Sequence, residues 1–457
     1  MSRKLIYNAV IVSDGVCRHG YVMIDGEIIE RVGEGAPSQA EIDSADIASD
    51  IGGRLLLPGA IDTHVHFREP GLTHKASIAT ESAAAVSGGV TSFIDMPNTR
   101  PATTSMGAVA DKKRIAAVSS YVNYGFFLGT TNDNLDEILG ADPHEIPGVK
   151  LFMGSSTGNM LVDDNVSLSQ LFASYKGVIA VHAEDEATLA EARRNLVALY
   201  GDNMPVELHS QARPAEACLN ASQRAVELAR KFGTRLHILH ISTARELSLL
   251  SPGDIGAKRI TAETCPHYLL FADTDLARDN GFMLKCNPAI KTAADRDALV
   301  SALSEGLIDT IATDHAPHLL EEKQGNLLQA ASGMPGVRFM LPEMLTIASR
   351  DDNALTTERV VELTAHNPAR LYAIERRGYI RRGYYADLVV AERTEPYRPE
   401  IGEYLAAGMM SPCDWTPYTM TEANYRIAAT YVNGALAFDG SRVHQMPVHP
   451  LRFNSDR

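Results

Sequence analysis

The feature that most constrains the fold is an eightfold alternation of short apolar runs with helix-like segments, which begins at residue 54. Each run ends abruptly in polar or charged residues, and the intervening segments are rich in Ala, Leu, Glu and Arg at helical spacing. Eight strands alternating with helices predict an α/β fold, a (β/α)₈ TIM barrel. The predicted strands are residues 55–61, 90–95, 122–128, 149–153, 178–181, 236–241, 259–262 and 308–312.

The ends of these runs carry the candidate functional side chains. In a (β/α)₈ barrel the chemistry takes place at the C-terminal ends of the strands, so most of these side chains are expected to converge at one mouth. A doubly wound open sheet is the alternative, but its usual Gly-x-Gly-x-x-Gly turn after the first strand is missing. The residues at or just beyond the strand ends are His64, His66, Asn98, Lys150, His182, His240 and Asp314.

Strand-like segments flank the predicted barrel on both sides. Residues 1–54 contain short apolar runs broken by turns, which predict short strands. Residues 378–445 show the same pattern, with a hairpin turn at Asn433-Gly434. Because chain ends often lie close together, we expect both segments to form one small β-sandwich domain. The predicted division is 1–54 with 378–445 for this domain, 55–377 for the barrel, and 446–457 for a C-terminal tail.

Composition excludes several classes of partner. The net charge of −15 repels polyanions, so nucleic acid is not expected as a partner. The five cysteines are scattered without a Cys-x-x-Cys pair, which indicates reduced thiols in a cytoplasm rather than disulfides or a thiolate zinc site. No run reaches membrane-spanning length and the N-terminus lacks an apolar signal segment, so we expect a soluble, cytoplasmic protein without a membrane partner.

Residues 62–71, Asp-Thr-His-Val-His-Phe-Arg-Glu-Pro-Gly, form the densest group of candidate site residues. Side chains alternate along a strand, so Asp62, His64 and His66 share a face, where the two imidazoles can hold one metal ion. Arg68 follows as a fixed cation whose planar fork suits a carboxylate. A lone His-x-His can also be a pair of ordinary core or surface histidines, so the interpretation depends on partners elsewhere in the chain.

Lys150 lies in an apolar strand, with Val149 and Leu151 on the opposite face. A lysine that faces a barrel interior must be paired or chemically altered, because a lone buried ammonium is costly. An ion pair with a carboxylate is one possibility. Among four histidines a carbamylated lysine fits better, since its new carboxylate can bridge two cations.

The remaining candidates complete a donor set for two metal ions. His182 and His240 each end an apolar run, whereas His237 lies on the opposite face and is interpreted as a packing or surface histidine. Four imidazoles and two oxygen donors, one of them from Asp314, suit two zinc-like ions. A water shared by two such ions is a hydroxide near neutral pH, and therefore a nucleophile.

An ordered series of motifs resembles the amidohydrolase superfamily, and within it the dihydroorotase family with a binuclear metal centre. A single His-x-His is weak evidence, whereas this series runs through most of the chain. Besides residues 62–71, the motifs are 95–99 (Asp-Met-Pro-Asn-Thr), 149–152 (Val-Lys-Leu-Phe), 181–184 (Val-His-Ala-Glu), 239–242 (Leu-His-Ile-Ser), 314–318 (Asp-His-Ala-Pro-His) and 386–389 (Ala-Asp-Leu-Val).

The resemblance implies a role for each metal-site residue. His64, His66 and Asp314 would bind the first of two divalent ions, expected to be Zn²⁺, and His182 and His240 the second. A CO₂-derived carbamate on Lys150 would bridge both ions. Asp314 would also act as general base and then as general acid. Asp62 would orient a ligand rather than bind metal.

The resemblance also implies a substrate and its contacts. Arg68, Asn98 and His318 would grip the substrate carboxylate and ring, with Asn287 and the backbone near Gly333 as further ring contacts. The implied reaction is the reversible hydrolysis of dihydroorotate to N-carbamoyl-L-aspartate in pyrimidine biosynthesis. The only partners expected are this small molecule and further copies of the chain, in a dimer or tetramer.

Two features leave other cyclic amidases open. The loop 154–160 is closer to dihydropyrimidinases than to many dihydroorotases, although it lacks the tyrosine that hydantoin-type enzymes place there. A hydantoinase, dihydropyrimidinase or allantoinase is therefore the main alternative, and Arg68 discriminates because not all of their substrates need a carboxylate clamp. A non-catalytic scaffold of the same fold is disfavoured because all six expected ligands are present.

Overall fold

The computed structural model describes residues 2–154, 160–162, 164–400 and 411–454. The loop 154–160 discussed above therefore lies largely outside the described residues. The strands are β1 (Arg3–Ser13), β2 (Val16–Asp25), β3 (Ile28–Glu34), β4 (Ile47–Asp50), β5 (Leu55–Pro58), β6 (Ala60–Val65), β7 (Val90–Asp95), β8 (Asn123–Phe126), β9 (Leu128–Gly129), β10 (Gly148–Met153), β11 (Val178–Ala183), β12 (Arg235–Ile238), β13 (Ile260–Thr264), β14 (Thr310–Ile311), β15 (Leu388–Tyr397), β16 (Ala423–Val432) and β17 (Ala435–Phe438).

Helices alternate with the strands in the middle of the chain. Among the described residues, none is long and apolar enough to cross a membrane. The α-helices are α1 (Gln39–Asp43), α2 (Ile78–Ser87), α3 (Met106–Ser119), α4 (Leu135–Gly140), α5 (Asn165–Ser174), α6 (Glu186–Tyr200), α7 (His209–Ala212), α8 (Ala215–Phe232), α9 (Pro266–Leu270), α10 (Ala293–Ser304), α11 (Leu320–Lys323), α12 (Met340–Ala348), α13 (Thr357–Val361) and α14 (Asn367–Leu371).

Eight parallel strands close into a barrel. β6 to β8 pair in chain order in one sheet, and β9 to β14 pair in chain order in a second, with β8 and β9 as successive parts of the third barrel strand. The gap after β14 closes where Val65 pairs with His315 and the His66 N–H donates to the His315 carbonyl at 2.7 Å. The predicted (β/α)₈ barrel is confirmed.

Local sequence signals set the limits of the helices over this barrel. α6 begins after Asp185, whose carboxylate accepts a hydrogen bond from Thr188 N at 2.8 Å. α8 ends at Gly233, where a φ of 69° places the backbone in the left-handed region that glycine adopts without steric cost. These two helices are the long connections that follow β11 and precede β12.

Strands from both ends of the chain share a second, mixed sheet. Its order is β17-β16-β15-β5-β1-β2-β3, with β4 paired to β1. β15 runs antiparallel to β5, and β5 runs parallel to β1, so the two ends of the chain meet at β5. The prediction of a β domain built from both ends of the chain is confirmed. The boundaries between this domain and the barrel, at residues 54 and 378, stay a prediction.

The run 55–61 is not the single barrel strand that the sequence predicts. It forms β5 in the mixed sheet and β6 in the barrel, separated at Gly59. Gly59 N donates to the Asp387 carbonyl at 2.8 Å, and a Cβ at Gly59 would collide with Thr91. Apolar periodicity could not show this break, because both halves of the run are buried in their own sheets.

Helix α12 packs against β16 and carries a fully buried carboxyl group, that of Glu343. Thr421 Oγ1 donates to Glu343 Oε1 at 2.6 Å, while Oε2 has no hydrogen-bond partner among the described residues. Burial raises the pKa of Glu343 from 4.5 to about 7, although the Thr421 hydrogen bond opposes this shift.

We expect Glu343 to make the stability of the protein fall as pH rises. The folded state holds the Glu343 proton up to about pH 7, whereas the unfolded chain releases it near 4.5, so the free energy of unfolding decreases between these values. Glu343→Gln should therefore be more stable than wild type at pH 8, by up to about 3 kcal/mol, and gain little at pH 5.

Urea unfolding followed by circular dichroism from pH 5 to pH 8 measures this difference. Glu191→Gln, which changes an exposed glutamate on α6, is the matched control and should follow wild type at every pH. If Glu343→Gln and wild type differ in free energy of unfolding by the same amount at pH 5 and pH 8, the raised pKa of Glu343 is contradicted.

Candidate active site

One cavity of about 390 Å³ brings together all the residues that the sequence analysis selected for the site. It opens at the C-terminal ends of the barrel strands, as expected for this fold. Their individual roles stay predictions, but their proximity is a property of the structure. The cavity is lined by His64, His66, Arg68, Asn98, Lys150, His182, His240, Asn287, Asp314, His318 and Gly333, together with Phe152 and a few small residues.

His64, His66 and Asp314 form a compact cluster, with one donor atom of each within 4.8 Å of the others. Asp314 Oδ1 lies 3.2 Å from His64 Nε2 and 3.0 Å from His66 Nε2. Burial opposes ionisation of Asp314, but the two imidazoles outweigh it and hold the pKa of this carboxyl well below its usual range. The cluster therefore offers a carboxylate and two ring nitrogens to a cation.

His182 and His240 form a second pair beside the first. His182 Nδ1 lies 2.9 Å from His240 Nε2. The centroid of the His240 ring is 5.4 Å from that of the His64 ring. Burial and the neighbouring His182 ring keep the pKa of His240 well below its usual range. A neutral imidazole is the form that binds metal.

Lys150 on β10 is only 1% exposed. Its Nζ lies 4.5 Å from the centroid of the Phe152 ring, and it forms no ion pair with another described residue. Burial lowers the pKa of Lys150 to about 7, although Asp314 and Glu263 oppose this shift. The simple ion pair considered from the sequence is thus not observed in the described part of the chain.

Neighbouring side chains orient the His64 and His66 rings. His64 Nδ1 lies 2.6 Å from Glu263 Oε1, and His66 Nδ1 lies 2.7 Å from Asn98 Oδ1. An acceptor on one ring nitrogen fixes the tautomer and leaves the other nitrogen free as a ligand. Both rings therefore present Nε2 toward Asp314, so the donor set fits metal ions in its orientation as well as in its composition.

Glu263 is the main residue that the sequence analysis missed. It lies on β13, fully buried, with Oε2 3.2 Å from His237 Nε2 in addition to its contact with His64. His237 is buried as well, and its Nδ1 lies 2.9 Å from Thr261 Oγ1. Glu263 follows the seventh apolar run just as the other site residues follow theirs, so the same rule could have found it.

Two further carboxylates hold the ligands in place. Arg213 donates to both oxygens of Glu184, at 3.0 and 2.5 Å, and Glu184 Oε2 lies 3.2 Å from His182 Nε2. Asp62 accepts from the backbone N–H groups of Thr313 and His64, at 3.1 and 3.2 Å. Asp62 thus ties β6 to the residue before Asp314, a position that suits the orienting role expected of it.

Arg68 lies on the substrate side of the cavity. Its Nε donates to the Pro317 carbonyl at 3.0 Å and its Nη2 lies 3.1 Å from His318 Nε2, while Nη1 has no hydrogen-bond partner among the described residues. Gly333 closes this side with a φ of 133°, and a Cβ there would be 2.7 Å from the Ala316 carbonyl oxygen. The chain therefore approaches the cavity closely at a position that requires glycine.

Backbone strain and a buried ion pair support this arrangement. Arg68, His240 and Asp314 have positive φ values of 67°, 39° and 48°, which are uncommon for non-glycine residues. Asp95 accepts from Phe67 N at 2.8 Å and pairs with the buried Lys112 ammonium. This pair, whose lysine the sequence analysis did not consider, fixes the backbone on which Arg68 is carried.

Comparison with known proteins agrees with the fold. The amidohydrolase family model matches residues 55–436. The chain belongs to the amidohydrolase family. This match, together with relatives named dihydroorotase and hydantoinase, confirms the prediction of a metal-dependent hydrolase that acts on cyclic amides.

Relatives within the family carry several names. The chain is 36% identical to a dihydroorotase of Halobacterium salinarum over 445 residues, which is 96% of this chain and 97% of that protein. It is 33% identical to an allantoinase of Streptomyces avermitilis over 370 residues, 79% of this chain and 80% of that protein. An L-hydantoinase structure from Arthrobacter aurescens superposes with a TM-score of 0.90 at 25% identity, covering 99% and 100% of the two chains. The predicted resemblance to dihydroorotases is confirmed.

Glu263→Gln should weaken metal binding. The substitution preserves size but removes the anion that orients His64, so metal affinity should fall by about 10- to 100-fold. Metal content per chain, measured by atomic absorption after dialysis against a zinc buffer, gives the result.

Glu246→Gln is the control, since Glu246 is a buried carboxylate bonded to Ser222 Oγ at 2.7 Å, outside the cavity. Wild-type metal affinity in Glu263→Gln would show that Glu263 does not support the His64 ligand.

Proposed function

We propose that the protein acts as a dihydroorotase, interconverting (S)-dihydroorotate and N-carbamoyl-L-aspartate in pyrimidine biosynthesis. The observation that carries the proposal is the Arg68 guanidinium beside the His64, His66 and Asp314 cluster in one buried cavity. A fixed cation next to a hydrolytic metal site suits a cyclic amide that bears a carboxylate. Relatives named dihydroorotase match over nearly the whole chain.

We further propose that this cavity holds two divalent ions, with Zn²⁺ as the expected metal. His64, His66 and Asp314 would hold one ion and His182 and His240 the other. When bound, such ions polarise the scissile carbonyl and lower the pKa of a water. Lys150 would serve as a further ligand in the form of a carbamate, because carbamylation converts an unpaired buried cation into an anionic group.

The remaining steps depend on side chains of the chain itself. Asp314 accepts a proton from the attacking water and returns it to the ring nitrogen as the amide C–N bond breaks. Arg68, Asn98 and His318 hold the carboxylate and the ring, with Asn287 and the Gly333 backbone as further ring contacts. In the reverse direction the same groups close the ring with loss of water.

Other cyclic amidases remain the alternative, since allantoinase relatives and a hydantoinase structure also match. Hydantoin, dihydrouracil and allantoin lack a ring carboxylate, so none of them gives Arg68 a partner. A non-catalytic scaffold is the weaker alternative, because the cavity contains the complete donor set. We also propose a cytoplasmic location and a homodimer or homotetramer.

Dihydroorotate should be the preferred substrate of the purified enzyme, in a spectrophotometric comparison with hydantoin, dihydrouracil and allantoin. Arg68→Met should lower kcat/KM for dihydroorotate by at least about 100-fold, because the substrate carboxylate loses its buried charged partner. Metal content should stay near that of wild type, since Arg68 is not a ligand.

Arg100→Met removes an exposed arginine near the same loop and should leave turnover unchanged. Unchanged turnover in Arg68→Met would rule out the clamp, and faster wild-type turnover of a neutral ring would rule out the proposed substrate.

Lys150 should make metal loading depend on CO₂. Metal-free enzyme supplied with Zn²⁺ in CO₂-depleted buffer should recover little metal and little activity, and bicarbonate should restore both. Lys150→Ala should show low metal content with or without bicarbonate, because it has no amine to carbamylate. Equal metal recovery by wild type in both buffers would contradict the carbamate.

A further inference from the structure

A second cavity, of about 680 Å³, adjoins the catalytic one. Asn287 and Ser332 line both cavities. The walls of the second cavity come from α6 and α7, which follow β11, and from the segments 285–287 and 327–332, which follow β13 and β14. It therefore lies on the same C-terminal face of the barrel as the active site, and we call it the side groove.

The side groove has more positive than negative side chains. Arg193, Arg194, Arg213 and Lys285 line it, against one carboxylate, Glu186. Arg193 and Arg194 are exposed on α6, and neither forms an ion pair with a described residue. Lys285 Nζ donates to the Ala330 carbonyl rather than to a carboxylate.

Two cations, Arg213 and Lys285, lie at the floor of the side groove and repel each other. Burial, together with Arg213, lowers the pKa of Lys285 to about 8. Burial and the Lys285 ammonium keep the pKa of His209 well below its usual range. Arg213 has a carboxylate partner, Glu184, whereas Lys285 has none among the described residues.

This local charge contrasts with that of the whole molecule. The chain carries a net charge of −15, so its average field repels an anion that approaches the surface. A cleft lined by the opposite charge focuses the field and raises the local concentration of an anionic ligand. A neutral ring would gain nothing from such a cleft.

We infer that the side groove is an anion-collecting vestibule, in which Arg193 and Arg194 steer the carboxylate-bearing substrate toward the catalytic cavity. The inference rests on the proposed function, because it requires an anionic substrate. Both arginines are steering residues and not catalytic residues, since neither lines the catalytic cavity. They act through solvent over distances comparable to the Debye length, so their effect depends on salt.

The test is the salt dependence of kcat/KM for dihydroorotate in wild type and in the double variant Arg193→Gln/Arg194→Gln. At an ionic strength of about 20 mM, kcat/KM of the double variant should be lower by about fivefold, and the difference should disappear near 300 mM. The turnover number kcat at saturation should be unchanged, because bound substrate contacts neither residue.

Arg230→Gln/Lys231→Gln is the matched control. It removes the same charge from the last turn of α8, which leads into the N-terminal end of β12 and therefore lies on the opposite face of the barrel. This variant should show the salt dependence of wild type. A merely global effect of net charge would lower kcat/KM equally in both double variants and would overturn the inference.

The remaining outcomes separate this inference from the proposed function. If wild type converts dihydroorotate and the Arg193→Gln/Arg194→Gln variant has the same kcat/KM at low salt, the vestibule is overturned and the proposed function stands. Loss of kcat in that variant also overturns it, since steering acts only before binding. Wild type that does not convert dihydroorotate overturns the proposed function, and the vestibule with it.

Discussion

The closure of the barrel between β6 and the segment after β14 is the constraint on which the site depends. The His66 N–H donates to the His315 carbonyl, and Asp62 accepts from Thr313, so the first and eighth strands are fixed side by side. Only in this register does Asp314 reach both His64 and His66. The same closure places Pro317 and His318 against Arg68, and it therefore sets the distance between the donor cluster and the substrate side.

The pairing of buried charged side chains is a second constraint on the site. An isolated ion in the barrel interior would be very costly, so each buried carboxylate at the site has defined partners. Glu263 lies between His64 and His237, and Glu184 between Arg213 and His182. The Glu263 contact fixes the orientation of the His64 ring before any ligand binds. Lys150 is the exception, because it has no counterion among the described residues, and this makes it the natural place for a change of charge.

The sequence predicted much of this arrangement and missed specific parts of it. Strand ends carry the chemistry in a (β/α)₈ barrel, so reading the end of each run selected seven of the residues that line the cavity. Arg68 was selected as the cation that follows the His-x-His pair, and the resemblance alone added Asn287, His318 and Gly333. Glu263 was missed although it directly follows the seventh predicted run, 259–262, and lies within β13. The break at Gly59 was missed because apolar periodicity is the same on both sides of it, although the two halves belong to different sheets.

The sequence by itself determined the alternation of strands and helices, the residue types at the strand ends and their order along the chain, since these depend on local periodicity and side-chain chemistry. The tertiary structure alone decided which ring nitrogen faces Asp314, which carboxylate supports His64, and that Arg193 and Arg194 lie beside the catalytic cavity. These features join residues as much as 199 and 248 positions apart. No local pattern encodes such pairings, because they exist only once the barrel has closed.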